Sequence, residues 1–141
     1  MRRMLFVALT LLGLVAVGCS SGDEKDDIPA DAQRLTVSFG DALQFDPPTL
    51  TVQAGRPVVL TVKNVGGTDH DFAVRDMPAS DVKSKVEGGH GHGGAGVVVG
   101  HPRAKGEVTV RFTPTAPGTY EFYCSVTGHK DAGMKGTLTV T

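Results

Sequence analysis

The strongest constraint on the fold is the alternation of apolar and polar residues in short runs between positions 35 and 140. Successive side chains of a β-strand lie on opposite faces of a sheet, so each run predicts a strand with one buried face. Proline and glycine residues typical of turns separate the runs. The apolar positions are Leu35, Val37 and Phe39; Leu50 and Val52; Val58, Leu60 and Val62; Val108, Val110 and Phe112; Tyr120, Phe122 and Cys124; and Leu138 and Val140.

Many short strands at this spacing predict an all-β domain, a Greek-key β-sandwich or barrel of about seven to eight strands. A glycine-rich stretch at residues 87–96 breaks the alternation. Glycine pays a large entropy cost in regular structure, so we expect a mobile loop there. The valines at residues 97–99 are compatible with a short strand that returns to the sheet.

The N-terminal residues differ in composition from this domain. Arg2 and Arg3 precede a short apolar run at residues 4–17, which predicts a signal peptide over residues 1–18. The run is shorter than the roughly 20 residues that cross a bilayer, which argues against a membrane-spanning anchor. Residues 16–19, Ala-Val-Gly-Cys, resemble a bacterial lipobox, which implies a lipid on Cys19. The alternative is ordinary cleavage that leaves Cys19 as a free thiol.

Residues 19–33 are polar and acidic without apolar periodicity, which predicts a solvated, lipidated tether. Residues 34–141 then suffice for one domain. We therefore expect an exported protein, anchored by lipid to the cell membrane and facing the periplasm or the cell exterior. The formal net charge is −1, and no basic patch with interleaved aromatic residues occurs, so the sequence gives no support for nucleic-acid binding.

Three metal-binding side chains follow one another near the C-terminus. Cys124, His129 and Met134 are spaced at equal five-residue steps. Thiolate and thioether sulfur favour Cu(I), and imidazole binds copper well in either oxidation state. A mononuclear blue-copper site uses two His and one Cys in a plane with a long axial bond, often to Met. The loop therefore offers three of the four ligands.

Strand alternation indicates where a second imidazole could come from. Tyr120, Phe122 and Cys124 share one face of a predicted strand, so the thiol is expected to point towards the core. His70 alternates in the same way with Phe72 and Val74. His70 is therefore expected to lie on a core-facing side as well, as a candidate fourth ligand or as a hydrogen-bonded core residue.

With these residues established, the domain resembles the cupredoxins, the small blue-copper electron carriers. Residues 118–124, followed by His129 and Met134, are similar to the ligand loop of azurin and auracyanin, and the tethered form is similar to auracyanin. The resemblance implies one type 1 copper with His70 and His129 as imidazole ligands, Cys124 as thiolate and Met134 as axial thioether. It also implies that Tyr120 is structural.

The resemblance further implies a function in electron transfer and no enzymatic activity. The chain would cycle between Cu(I) and Cu(II) as a monomer, between a redox protein donor and acceptor in the membrane, respiratory or photosynthetic. An alternative is an exported copper-binding protein for copper delivery or storage.

Other metal chemistry fits the sequence less well. A copper oxidase or nitrite reductase needs additional copper centres, and a binuclear copper site needs a second Cys where the loop has Gly128. Zinc is disfavoured because Met is a poor zinc ligand. A disulfide between Cys19 and Cys124 would compete with both of their predicted roles.

Two further features are left outside the predicted copper site. The family commonly has Asn after the first His ligand, whereas this chain has Asp71. We expect its negative charge to favour Cu(II) and to lower the reduction potential. His90 and His92, in the glycine-rich stretch, could form an accessory metal site or could simply belong to a flexible solvated loop, and His101 is likewise left outside the copper site.

Overall fold

The computed structural model describes residues 28–87, 90–94 and 97–141. The predicted signal peptide and residues 19–27 of the predicted tether lie outside the described residues. The described part of the chain is built from strands and turns, and it contains no helix long and apolar enough to cross a membrane.

The described residues form eleven strands, with these bounds: β1 (Gln33–Phe39), β2 (Phe45–Asp46), β3 (Thr49–Val52), β4 (Val58–Asn64), β5 (Phe72–Val74), β6 (Ala79–Glu87), β7 (His90–Gly94), β8 (Val97–His101), β9 (Glu107–Pro114), β10 (Gly118–Tyr123) and β11 (Lys135–Val140).

The strands assemble into two sheets. One sheet has the order β2-β1-β4-β9-β6, and the other has the order β3-β11-β10-β5-β8-β7. β1 pairs in parallel with β4, and β3 pairs in parallel with β11. The remaining neighbours are antiparallel. The predicted all-β sandwich is therefore confirmed.

The core lies between the two sheets, and most of the residues that the alternation selects belong to it, together with Phe45 and Met77, which the alternation does not select. In β9, for example, Val108, Val110 and Phe112 are each at most 2 % exposed, while the residues between them are partly exposed. Burial of alternate side chains contributes about 1.5–3 kcal/mol for each large apolar group. Leu35 and Tyr120 pack against this core from partly buried positions.

The structure corrects two predictions. The described residues form eleven strands, more than the seven to eight that the sequence predicts, because β2 spans only two residues and β6 is largely polar, so neither shows clear alternation. The glycine-rich stretch was also expected to be a loop, whereas residues His90–Gly94 form β7. Backbone pairing with β8 compensates for the poor strand propensity of glycine. The predicted strand after this stretch is confirmed as β8.

Four phenylalanine rings form the part of the core near His70. Phe45 makes edge-to-face contacts with Phe39, Phe72 and Phe122, at centroid distances of 5.1–5.9 Å. Phe39 also packs edge-on against the imidazole of His70, at 5.5 Å. The imidazole of His70 therefore packs against Phe39, which belongs to this cluster of four phenylalanine rings.

Candidate metal centre

Cys124 directly follows β10, and its thiol is fully buried. Phe122, two residues earlier on the same face, is buried as well, as the alternation predicts. The backbone N–H of Asp71, on a different loop, donates to Cys124 Sγ at 3.5 Å. The thiol therefore faces inwards at the point where two loops meet.

The segment from Cys124 to Met134 forms a closed loop. The Cys124 N–H donates to the Met134 carbonyl at 3.1 Å, and the Met134 N–H donates to the His129 carbonyl at 2.9 Å. Gly128 and Gly133 have φ angles of 84° and 102°, which few residues other than glycine adopt at low cost. These turns and hydrogen bonds fix where the three donor groups lie, and Met134 is fully buried.

His70 lies in the connection between β4 and β5, and the buried side chain of Asn64 stabilises this connection. The Asn64 side chain is only 1 % exposed. Its Nδ2 donates to the Thr68 carbonyl at 2.8 Å, and its Oδ1 accepts from the Gly66 N–H at 3.0 Å. The two bonds fix the turn that precedes His70.

Asp41 holds the same turn from outside. Its Oδ1 accepts three hydrogen bonds, from the N–H of Gly67 at 2.9 Å, the N–H of Thr68 at 3.0 Å and Thr68 Oγ1 at 2.9 Å. Asp41 follows β1, so its carboxylate ties the first sheet to the turn that carries His70.

The structure brings together three of the four predicted ligand side chains through their donor atoms. Nδ1 of His70 and Nδ1 of His129 are 3.1 Å apart. Cys124 Sγ lies 3.5 Å from His129 Nδ1 and 3.9 Å from His70 Nδ1. Met134, the fourth predicted ligand, is buried in the same core cluster as Cys124.

This arrangement fits a metal ion better than a set of hydrogen bonds. Two nitrogens and one sulfur that face one another can share few protons, whereas one cation can interact with all three lone pairs. Bonds of about 2.0–2.3 Å in a trigonal plane would separate the donors by roughly 3.5–3.8 Å. The observed separations, 3.1–3.9 Å, bracket that spacing.

Burial controls the protonation of the donors. Burial raises the pKa of the Cys124 thiol, and hydrogen bonds from the backbone of Asp71 and Val126 act against this rise. Burial lowers the pKa of His70, and the neighbouring His129 lowers it further. A neutral imidazole is the form that binds metal, whereas a thiol must lose its proton, so binding at Cys124 is coupled to proton release.

Asp71 links the two ligand loops. Its carboxylate accepts hydrogen bonds from both the backbone N–H and the hydroxyl of Ser125, the residue after Cys124. Its own N–H donates to the Cys124 sulfur. Asp71 is 6 % exposed. A carboxylate therefore makes the link between loops that an Asn acceptor could also make.

The other histidines lie elsewhere. His90 and His92 belong to β7, and His101 ends β8. Within the described part of the chain, the cluster of three donors consists of His70, Cys124 and His129. The sequence reasoning missed Asp41, because its contacts with the His70 turn, 26 and 27 residues further along the chain, arise only from the tertiary fold. It also missed Asn64, whose hydrogen bonds to Gly66 and Thr68 are local, so an Asn two residues before the pair Gly66 and Gly67 was a turn signal that could have found it.

Two packed β-sheets with a buried Cys, two converging imidazoles and a buried Met define a cupredoxin. The chain belongs to the plastocyanin/azurin family of copper-binding proteins, whose family model matches residues 32–141. Copper is therefore its cofactor, and the donor set suits one type 1 copper.

Two sequence relatives and one solved structure are consistent with this assignment. The chain is 38% identical over 110 residues to plastocyanin of Dryopteris crassirhizoma, covering 74% of this chain and 97% of the relative. It is 33% identical over 115 residues to the copper-resistant cuproprotein CopI of Rubrivivax gelatinosus, covering 79% and 68%. The reduced auracyanin of Roseiflexus castenholzii has the same fold, with a TM-score of 0.63, 23% identity and coverage of 77% and 97%.

Proposed function

We propose that this chain is a type 1 blue-copper electron carrier, not an enzyme, with His70, Cys124, His129 and Met134 as ligands. The observation that carries the proposal is the convergence of two imidazole nitrogens on a buried thiol sulfur. A copper ion held by such a set supplies a one-electron couple between Cu(I) and Cu(II).

The protein's contribution is to hold the four donors in place. Cys124 and Met134 are joined by a backbone hydrogen bond, and the His70 turn is tied by Asn64 and Asp41. Donors fixed by the fold move little when an electron arrives or leaves, so the reorganisation energy stays small. The hydrogen bond to Cys124 Sγ tunes the potential.

An exposed edge near His129 gives a partner access to the site. His129 is partly exposed, and the neighbouring Gly128, Ala132 and Gly133 are exposed and small. A partner can therefore approach the imidazole without displacing large side chains. Redox encounters of this kind use weak interfaces, typically below about 1,200 Å². We expect the carrier to act as a monomer.

The proposed location is the membrane surface outside the cytoplasm. A lipid on Cys19 would anchor residues 19–33 as a tether and raise the effective concentration of the domain near membrane-bound donors and acceptors. The test is Cys19→Ser, expressed in a bacterial host that lipidates proteins. The variant should move from the membrane fraction to the soluble fraction, and an unchanged distribution would contradict the lipid anchor.

The test of the carrier function is copper reconstitution followed by redox cycling. One equivalent of Cu(II) should give intense blue colour from thiolate-to-copper charge transfer. Voltammetry should then show a reversible one-electron wave with the copper retained over many cycles. A colourless product, or loss of copper on reduction, would contradict the proposal.

Copper delivery is a second candidate, favoured by the similarity to a protein named copper-resistant cuproprotein. A delivery protein gives up its metal, whereas a carrier keeps it. A Cu(I) chelator such as bicinchoninate, added to the reduced protein, separates the two functions. Rapid and complete transfer favours delivery, and slow transfer favours electron transfer.

A further inference from the structure

Three basic residues share one row on the outer face of the first sheet. Arg34 in β1 lies beside Val59 in β4, and Val59 lies opposite Arg111 in β9. Lys83 in β6 lies opposite Arg111. Residues that pair across neighbouring strands point to the same side of a sheet. We call Arg34, Lys83 and Arg111 the basic row.

The basic row faces outwards. Val110 and Phe112, on either side of Arg111, are at most 2 % exposed and belong to the core between the sheets. Because successive residues of a strand alternate between its two faces, Arg111 points away from that core. Arg34 and Lys83 are exposed. Neighbouring strands lie about 4.8 Å apart, so the three positive charges are spread over roughly 14 Å of surface.

Positive charge on this face is concentrated at one end. The next row towards the copper centre consists of the uncharged residues Thr36, Thr61 and Thr109. In the row after that, Lys63 and Glu107 form an ion pair at 3.1 Å, so their charges offset each other. The excess of positive charge therefore lies at the end of the sheet that is remote from the copper ligands.

Asp81 offsets only part of this charge. It lies at the bulge of β6 and lines a cavity of about 230 Å³ together with Lys83 and Arg111. Its carboxylate accepts a hydrogen bond from Ser80 Oγ at 2.9 Å. One carboxylate beside three cations leaves the basic row with a net positive charge.

The chain enters the domain beside the basic row. Pro29 lines the same cavity as two members of the row. Arg56 donates a hydrogen bond to the Asp31 carbonyl at 2.7 Å, which holds the entering segment against the sandwich. Cys19 precedes Pro29 by ten residues, which span at most roughly 36 Å when fully extended. A lipid on Cys19 would therefore keep the basic row close to the bilayer.

We propose that the basic row binds the anionic phospholipid headgroups of the membrane to which the chain is tethered. The inference rests on the membrane location proposed above. A basic residue near an anionic membrane surface strengthens binding by about fivefold. Three such residues make a weak contact, and the tether makes that contact effective because it holds the domain at a high local concentration.

Docking through the basic row would set the orientation of the copper centre. β4 carries Val59 beside the row and ends at Asn64, which stabilises the turn before His70. The strand rises by about 16 Å between Val59 and Asn64. The basic row therefore lies at the end of the sandwich away from the copper, and docking leaves the exposed edge of His129 open to redox partners.

The test is an acetylation footprint of the copper-loaded mature chain, residues 19–141, on vesicles. Coupling of Cys19 to a maleimide lipid replaces the natural anchor, and Cys124 does not compete because it is buried. Lys83 should react with an amine-reactive ester about fivefold or more slowly on vesicles with about 30 % phosphatidylglycerol than on pure phosphatidylcholine. Lys135, which is exposed next to the ligand Met134, is the internal control and should react equally on both.

Two changes should remove the protection of Lys83. Addition of about 0.5 M NaCl shortens the Debye length to roughly 4 Å and should restore the reaction rate. Arg34→Gln removes one charge from the basic row and should raise the rate for Lys83 several-fold on anionic vesicles. Arg103→Gln removes an exposed charge outside the row, and it should leave the protection unchanged.

Equal reaction rates of Lys83 on the two kinds of vesicle, or equal protection of Lys83 and Lys135, would overturn the proposal. Protection that exists without vesicles and disappears in salt would also overturn it, because the basic row would then bind an acidic protein segment, from the same chain or from a second copy. The maleimide lipid supplies the anchor, so this test can fail while Cys19→Ser still moves to the soluble fraction, and the two proposals are distinguished.

Discussion

Two loops meet at the copper centre, and they hold their ligands in different ways. The loop from Cys124 to Met134 contributes three predicted ligands from one short stretch and is closed by its own backbone hydrogen bonds. The loop with His70 contributes one predicted ligand, and besides the local hydrogen bonds of Asn64 it is held by Asp41, which is distant in the sequence. The first loop is organised locally, whereas the second also depends on a contact that the fold makes.

The two imidazoles also differ in exposure. His129 lies in a surface loop and is partly exposed, whereas His70 packs against Phe39 and is fully buried. The locally organised loop can therefore serve as the contact with partners. The buried loop can serve as the fixed side of the centre.

The largest effect is expected from Cys124→Ser. A hydroxyl does not reproduce the thiolate-to-copper charge transfer, so the blue absorbance should disappear completely while the fold is retained. Absorption spectra after copper addition, with circular dichroism as a check of folding, measure this outcome. Blue colour that survives in the folded variant would show that the locally organised loop does not supply the thiolate.

Replacing each histidine by glycine tests the difference in exposure. His129→Gly opens a gap at the surface, so added imidazole should enter, bind copper and restore most of the blue absorbance. His70→Gly leaves a gap in the buried core, where entry of imidazole requires local opening. Recovery should therefore be much smaller or much slower. Equal recovery in the two variants would contradict the assignment of one exposed and one buried loop.

The same contrast explains what the sequence could predict. Alternation identifies the strands with strong patterns and the inward direction of Cys124, because side-chain direction follows from strand geometry. His70 is buried as expected, but it precedes β5 and residues 70–74 are all buried, so alternation does not account for its direction. It does not identify β6 or β7, which depend on pairing partners. Asp41 lies 27 residues before Thr68, so no local pattern connects them. Long-range contacts of this kind were missed, whereas strong alternation within a segment was found.

A moderate effect is expected from Asp71→Asn. An amide can still accept a hydrogen bond from Ser125, but it removes a negative charge beside the copper ligands, which should disfavour Cu(II). The reduction potential should rise by tens of millivolts, where about 59 mV corresponds to a tenfold change in a one-electron equilibrium. Voltammetry of the copper-loaded variant measures the change.

Ser125→Ala is the matched control for this charge effect. It removes the hydroxyl that donates to Asp71 and leaves the carboxylate in place. A less neutralised carboxylate should lower the potential slightly, opposite in sign to the change in Asp71→Asn. An unchanged or lower potential in Asp71→Asn would show that the carboxylate does not stabilise Cu(II).

The smallest effect is expected from Asp41→Ala, and its pH dependence tests how the His70 loop is held. Hydrogen bonds from the side chain of Thr68 and from the N–H groups of Gly67 and Thr68 lower the pKa of Asp41 below its ordinary value of 3.8. A lowered pKa in the folded state stabilises the fold fully above the ordinary value, and this contribution is lost as the pH falls through the folded-state pKa. Asp41→Ala should therefore unfold at a lower urea concentration than the wild type at pH 7, and the two midpoints should converge in acid.

Asp76→Ala removes an exposed carboxylate in the turn after β5, and it should leave the urea midpoint nearly unchanged both at pH 7 and in acid. A difference between Asp41→Ala and wild type that persists undiminished at low pH would mean that the charge of Asp41 does not hold the turn, and the contrast between the two loops would lose its electrostatic basis.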